Sequence, residues 1–346
     1  MKQALKILGC FVGGLSLVAG LFFFLAYQQL GAPTAESEWT WQVVKRKSEI
    51  ARSTQTNKLL IAGGSSVLFG ISAEIIEKET GIPSVNMGTH AALPMTYHLR
   101  ELRAGLRPGD TALLILEYEL YDRDEEKLDE VQLDYLLSRD HEYFLRFPIS
   151  QQIKILTQTR IDRIWSGLMS RKKNPGPMRN SIYTTTNLNT HGDQTGHFKA
   201  LRPSYANFDL SSGILVSGLK NRLSVHRTLE EFAGWCRTNR VQLLATFPNR
   251  ATNSLFRPYV ISQVESDFSF FYRSIGVPLL GSISESILPK EEFFDTVYHL
   301  SAEGQHSRTQ RLVQHLRPFL TTMSIPPSGP DNRPARPIPM APLPNQ

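Results

Sequence analysis

The chain has 346 residues, a net charge of +6 and two cysteines. That size fits one medium domain with appendages better than two full domains, and the scattered rather than striped Lys and Arg argue against a nucleic-acid groove. Cys10 and Cys236 fall in an apolar N-terminus and a predicted helix, so no disulfide is expected.

No charged residue occurs from Ile7 to Ala35, and Leu5 to Tyr27 is predominantly apolar. As a helix this run would measure roughly 34 Å, enough to cross a bilayer. Pro33-Thr34-Ala35 is a poor cleavage site, which favours an uncleaved anchor over a signal peptide. Lys2 and Lys6 precede the span, and Glu36 and Glu38 are the first charges after it. The expected topology is therefore single-pass through the inner membrane, N-terminus cytoplasmic and main domain periplasmic or extracellular, with Lys45, Arg46 and Lys47 reducing the asymmetry. Residues 1–30 read as the anchor and 31–57 as a polar, helical or irregular stalk.

An α/β pattern begins at Lys58. Leu59 to Ala62 show no alternation, as expected of a central parallel strand covered on both faces. Gly63-Gly64 then give a bend that a side chain would obstruct, delivering Ser65 to the carboxyl end of the strand, where open α/β sheets place their ligands. Ser72-Ala73-Glu74 starts a helix that ends at Gly81. Strands at Pro83 to Asn86 and Thr111 to Leu116 flank a helix opened by Pro94 and striped by Leu99, Leu102 and Leu106.

The alternation stops over about 121–222, read as an insertion with its own helices. Ile153, Leu156, Ile161, Ile164, Trp165 and Leu168 fall at helical spacing beside Arg171-Lys172-Lys173; the stripe is expected to pack on the parent domain, with a membrane surface as the alternative. Arg179 to Pro203 gives no regular pattern. Its His191, Asp193 and His197 lack paired ligand spacing, and neither a metal nor another cofactor is expected. The sheet resumes with a helix near Leu223 to Thr238, a strand Val241 to Phe247, a helix near Tyr259 to Ile275, a strand Val277 to Leu280 and a final helix Ala302 to Leu320. The tail 323–346 is proline-rich and reads as disordered or extended. The whole predicts a flavodoxin-like three-layer α/β fold over 58–322, with a mostly parallel sheet of about five strands.

A strand-end serine needs a base and a stabilised oxyanion. His299, in the loop before the last helix, emerges at the same sheet edge as Ser65, with Asp295 upstream to hold the imidazole; Glu117 or Glu119 are alternative partners. The backbone N–H groups of Ser65 and Gly88 are the expected oxyanion donors. Gly64, Ser66, Asn86, Glu117 and Tyr118 are expected to line the crevice. Ser66 is the competing nucleophile, and a pair of helix-capping hydroxyls is the non-catalytic alternative for both serines.

Three blocks carry a resemblance. LLIAGGSS, VNMGTH and DTVYHLSAEG resemble, in that order, the Gly-Asp-Ser, Asn-x-Gly and Asp/His blocks of the SGNH (GDSL-like) hydrolase superfamily, spread over about Lys58 to Leu320. The resemblance implies Ser65 as nucleophile, His299 as base and Asp295 as its partner. Gly64 stands where Asp is usual, as in membrane-anchored members linked to envelope polysaccharide O-acylation. Glu117-Tyr118-Glu119 stands where the third block carries Asn, so a third donor would have to come from Tyr118 or Asn86. The implied activity is serine-dependent O-acyl transfer or carbohydrate ester hydrolysis, with a polysaccharide or acyl-ester substrate and a membrane-bound acyl-donor protein as partner. The alternative is a non-catalytic module that binds glycan or scaffolds a polysaccharide assembly complex.

Overall fold

The computed structural model describes residues 1–55, 57–122, 128–170, 182–204, 206 and 223–320. The tail 323–346 and the run Arg171-Lys172-Lys173 lie outside the described residues. Seven strands form among them: β1 (Leu59–Ala62), β2 (Ser84–Asn86), β3 (Thr111–Leu114), β4 (Gln242–Thr246), β5 (Arg250–Ala251), β6 (Leu279–Leu280) and β7 (Ile287–Leu288). Five of them make one wholly parallel sheet in the order β2-β1-β3-β4-β6, while β5 and β7 pair separately. The expected α/β fold with a parallel central sheet is what forms.

The unbroken apolar runs follow from burial on both faces. In β1, in β3 and at the residue just past β3, Leu60, Ala62, Ala112 and Leu114 point into one core, and Leu59, Ile61, Leu113 and Ile115 into the other. That is the two-residue period of a strand with both sides covered. The first core is closed by α5 (Met95–Gly105), α11 (Leu223–Thr238) and α12 (Pro258–Ser274), the second by α4 (Ala73–Thr80) and α13 (Ala302–Leu320). Helix α4 starts where the sequence places it. The Ser72 hydroxyl accepts the Ile75 N–H at 3.2 Å, and Gly81 ends the helix in the left-handed region at φ +72°.

Two N-terminal helices, α1 (Lys2–Gln28) and α2 (Ala35–Ser53), precede the sheet. Helix α1 is long and apolar enough to cross a membrane, and none of its most apolar 18-residue window is buried. Its last turns, however, join a third core with α7 (Glu130–Ser138), α8 (His141–Phe144), α9 (Ile149–Leu156) and α10 (Ile161–Ser170) of the insertion. The stretch 31–57, expected as a helical or irregular stalk, holds the helix α2, which packs on the domain rather than standing off it. Val43, Lys47 and Ala51 of α2 are fully buried, because Lys47 finds oxygen partners beneath the β2 loop.

Candidate active site

Between β1 and the short helix α3 (Ser65–Gly70) the chain makes the sharp turn expected of it. A Cβ on Gly63 would lie 2.1 Å from the Ile115 carbonyl oxygen, and one on Gly64 2.6 Å from both Ala91 Cα and Glu117 Oε1. These two positions are glycine because other atoms already fill the side-chain space. Glu117, just past β3, is fully buried and accepts the Gly64 N–H at 2.9 Å and the Ser66 N–H at 2.7 Å. Burial pushes its pKa above the ordinary carboxylate value, and the N–H groups of Ser66 and Gly64 pull it partly back. Ser66 is fully buried, whereas Ser65 is partly exposed. Of the two serines, Ser65 is the one a substrate could reach.

The late loop reaches the same edge. His299 Nδ1 lies 2.7 Å from Asp295 Oδ1. Its ring stacks flat on Phe69, with centroids 4.2 Å apart and planes 10° from parallel. Phe69 stands four residues after Ser65 on α3, and helical side chains at that spacing share a face and lean toward the N-terminus. The imidazole therefore lies along the face of the helix that Ser65 begins. Among the described residues neither Ser65 Oγ nor His299 Nε2 has a hydrogen-bond partner. Asp295 is buried, which opposes ionisation, but its bonds to His299 and Tyr183 outweigh this and hold its pKa below the usual carboxylate value. Glu117 is committed to the serine turn, and Glu119 accepts from Arg250 at 3.1 Å and Tyr298 at 2.5 Å. Asp295, not either glutamate, is the partner of His299.

The second expected oxyanion donor is not free. Gly88 N–H donates to Asn86 Oδ1 at 2.9 Å, a turn closed by its own neighbour's side chain. Lys47 Nζ donates to the same oxygen at 3.0 Å and to the Gly88 carbonyl at 2.5 Å. Asn86 Nδ2 is spent on the carbonyls of Val67 at 3.0 Å and Ile71 at 2.8 Å. Tyr118 is fully buried against Phe268. Gly64, Ser66, Asn86 and Glu117 are thus tied into the serine turn, and Tyr118 is packed into the core against α12, rather than lining an open crevice. What remains for an oxyanion is the N–H of Ser65, which has no acceptor among the described residues. Burial lowers the Lys47 pKa well below its ordinary value, and the charge of Asp193 offsets part of this.

The polar segment without pattern closes the site from above. Tyr183 OH donates to Asp295 Oδ2 at 2.5 Å and lies 3.4 Å from His299 Nδ1. Its ring packs edge-on against Trp39 and Phe69. His197 is buried edge-on to Phe69 at 5.4 Å, and burial lowers its pKa to about 4, so it is neutral behind the stack. The Asp193 carboxylate caps α4, accepting from Ala73 N–H at 2.7 Å, Ser72 Oγ at 2.9 Å and Glu74 N–H at 3.0 Å. Lys47, Thr89, His98, Glu101 and Tyr135 line a small separate cavity away from Ser65.

Protein-family models give no match to this chain, and curated protein sequences give none either. The functional argument therefore rests on the geometry. Three contributors escaped the sequence reading. Phe69 was legible as the residue one helical turn after Ser65. Lys47 and Tyr183 carried no local signal, since each acts on an element distant in the chain.

Proposed function

We propose that this chain is a membrane-anchored, extracytoplasmic SGNH-like serine acyltransferase or esterase acting on acyl groups of cell-envelope or exopolysaccharide chains. One observation carries the reading: the Asp295–His299 pair lies flat along α3, one turn from a partly exposed Ser65. In this reading Ser65 Oγ attacks the acyl carbonyl while His299 Nε2 takes its proton. Asp295 fixes the imidazole through Nδ1 and stabilises the imidazolium that forms. The Ser65 N–H faces the developing oxyanion. His299 returns that proton to the donor's leaving group, which departs and leaves the acyl on Ser65. A sugar hydroxyl or water then attacks the acyl-enzyme as His299 takes its proton, and His299 gives the proton back to Ser65 Oγ as the acylated sugar or the acid is released. Helix α1 is the anchor, with Lys2 and Lys6 on the cytoplasmic side, and a membrane-bound donor protein supplies the acyl group.

Fluorophosphonate labelling of the full chain in detergent tests this. Wild type labels, and Ser65→Ala and His299→Ala do not; labelling that survives Ser65→Ala refutes the assignment. A second, non-catalytic reading as a glycan-binding or scaffolding module is favoured by two observations. The Gly88 N–H and the Asn86 amide are engaged inside the fold, and Ser65 is not bonded to His299. A folded wild-type protein that binds glycan and never labels would establish it.

A further inference from the structure

The last turns of α1 are built into the insertion. Ala26 and Gln29 are fully buried, Tyr27 OH donates to Gln152 Oε1 at 2.6 Å, and Arg163 donates to Gln29 Oε1 at 2.5 Å. Gly167 of α10 sits against the Gln29 side chain, where a Cβ would come within 2.8 Å of Oε1. Helices α9 and α10 therefore stand at the point where α1 leaves any bilayer it crosses.

Both helices carry more apolar surface than the fold covers. At roughly 100° per residue, Ile164, Gly167 and Leu168 make one arc of α10, and Ile161, Trp165 and Met169 make the adjoining arc. The first is turned to the protein, with Ile164 and Gly167 buried; the second is exposed at 76 %, 62 % and 56 %. Helix α9 repeats the arrangement, with Ile155 and Leu156 buried and Ile149 and Ile153 exposed on the next arc. Each polar arc lies opposite. Adjoining exposed stripes of this size mark a contact surface, and a tryptophan with aliphatic neighbours beside a membrane helix suits the headgroup boundary.

We propose that the helical insertion rests on the bilayer surface, with Ile149, Ile153, Ile161, Trp165 and Met169 entering the boundary between headgroups and acyl chains. The occupant is lipid because α9 and α10 pack against the last turns of α1, the one element long and apolar enough to cross a membrane among the described residues. The inference rests on α1 as the anchor and is independent of the chemistry at Ser65.

The test uses the full chain with Cys10→Ser, reconstituted in phosphatidylcholine vesicles containing phosphatidylglycerol. Single cysteines at Trp165, Ile161, Leu15 and Phe270 carry an environment-sensitive fluorophore; Cys236 is buried and stays. Nitroxide lipids labelled near the carbonyl end of the acyl chain should remove most of the emission at Trp165→Cys and Ile161→Cys, and little at Phe270→Cys, which is exposed on α12. Water-like emission at 165 and 161 without lipid quenching overturns the proposal. So does emission shielded from water yet untouched by lipid nitroxide, which would place a second copy or another protein there. Quenching at Leu15→Cys by deep nitroxides tells whether α1 itself is inserted, so loss of the surface contact is distinguished from loss of the anchor.

Discussion

Replacing Glu117 by Ala should destabilise the protein and loosen the serine turn together. The carboxylate is the acceptor for two buried N–H groups, at 2.9 Å and 2.7 Å. Each buried donor left unpaired costs about 1–3 kcal/mol, so the loss is roughly 2–6 kcal/mol before relief of the carboxylate's own desolvation. Against a total of about 5–15 kcal/mol this is a large fraction, and at about 2–4 °C per kcal/mol the melting temperature should fall by several degrees. Glu117→Gln keeps one acceptor oxygen and turns an amide NH2 toward the other N–H, so its deficit should be about half as large. The pH dependence has a definite sign. Burial raises the folded pKa of Glu117, so the folded state holds more protons than the unfolded one above about 4.3, and wild-type stability from this group falls as pH rises through the folded pKa. The deficit of Glu117→Gln relative to wild type should therefore shrink as pH rises. Thermal and denaturant unfolding of the full chain in detergent measures these effects, with Glu79→Ala, an exposed partner of Arg317, as the neutral control. If Glu117→Ala melts with wild type and labels with fluorophosphonate at the same rate, the turn is not held by this side chain.

Asp295→Asn should slow fluorophosphonate labelling by up to about 10⁴-fold, since the imidazolium loses its counter-charge. Because its folded pKa is depressed, Asp295 adds stability that is present above the unfolded value of about 3.9 and lost as pH falls through the lower folded value; acid titration of stability should lose that component in the variant. Asp110→Ala strands the fully buried Lys58 ammonium, which it holds at 2.8 Å, and should cost about 3–5 kcal/mol in denaturant unfolding. Lys47, its pKa lowered by burial, binds fewer protons folded than unfolded in the window between its lowered folded pKa and the unfolded value of about 10.4, so stability should rise with pH across that window. A Lys47→Met chain lacking that rise would confirm the cause, and one retaining it would exclude Lys47.

The five strands of the main sheet were legible because parallel strands covered on both faces leave continuous apolar runs, whereas the two-residue β5 and β7 are too short to leave one. Helices bounded by Ser72, Gly81 and Pro94 were legible through their caps. The meeting of His299 with Asp295 and its stacking on the helix that Ser65 begins agree with the rule that loops leave a parallel sheet on one edge. The role of Gly88 was misassigned although a signal existed: Asn-x-Gly is the spacing at which an Asn side chain takes the N–H two residues on. The fate of Lys47 was not legible, since a charged residue in a polar helix reads as solvated until its carbonyl and amide partners are known. Tyr183 was hidden for a similar reason, in a segment whose shape is set by what it covers.

The way α1 merges with the third core also governs how this polypeptide can be cut. Phe22, Phe23, Leu25, Ala26, Tyr27 and Leu30 supply part of that interior, so scission at Pro33–Ala35 would carry off a wedge of hydrocarbon and leave an oily socket where it had been seated. A leader peptidase would thus damage the very body it released. A chain shortened for solubility should begin near residue 21, keeping the wedge and discarding only the bare shaft before it.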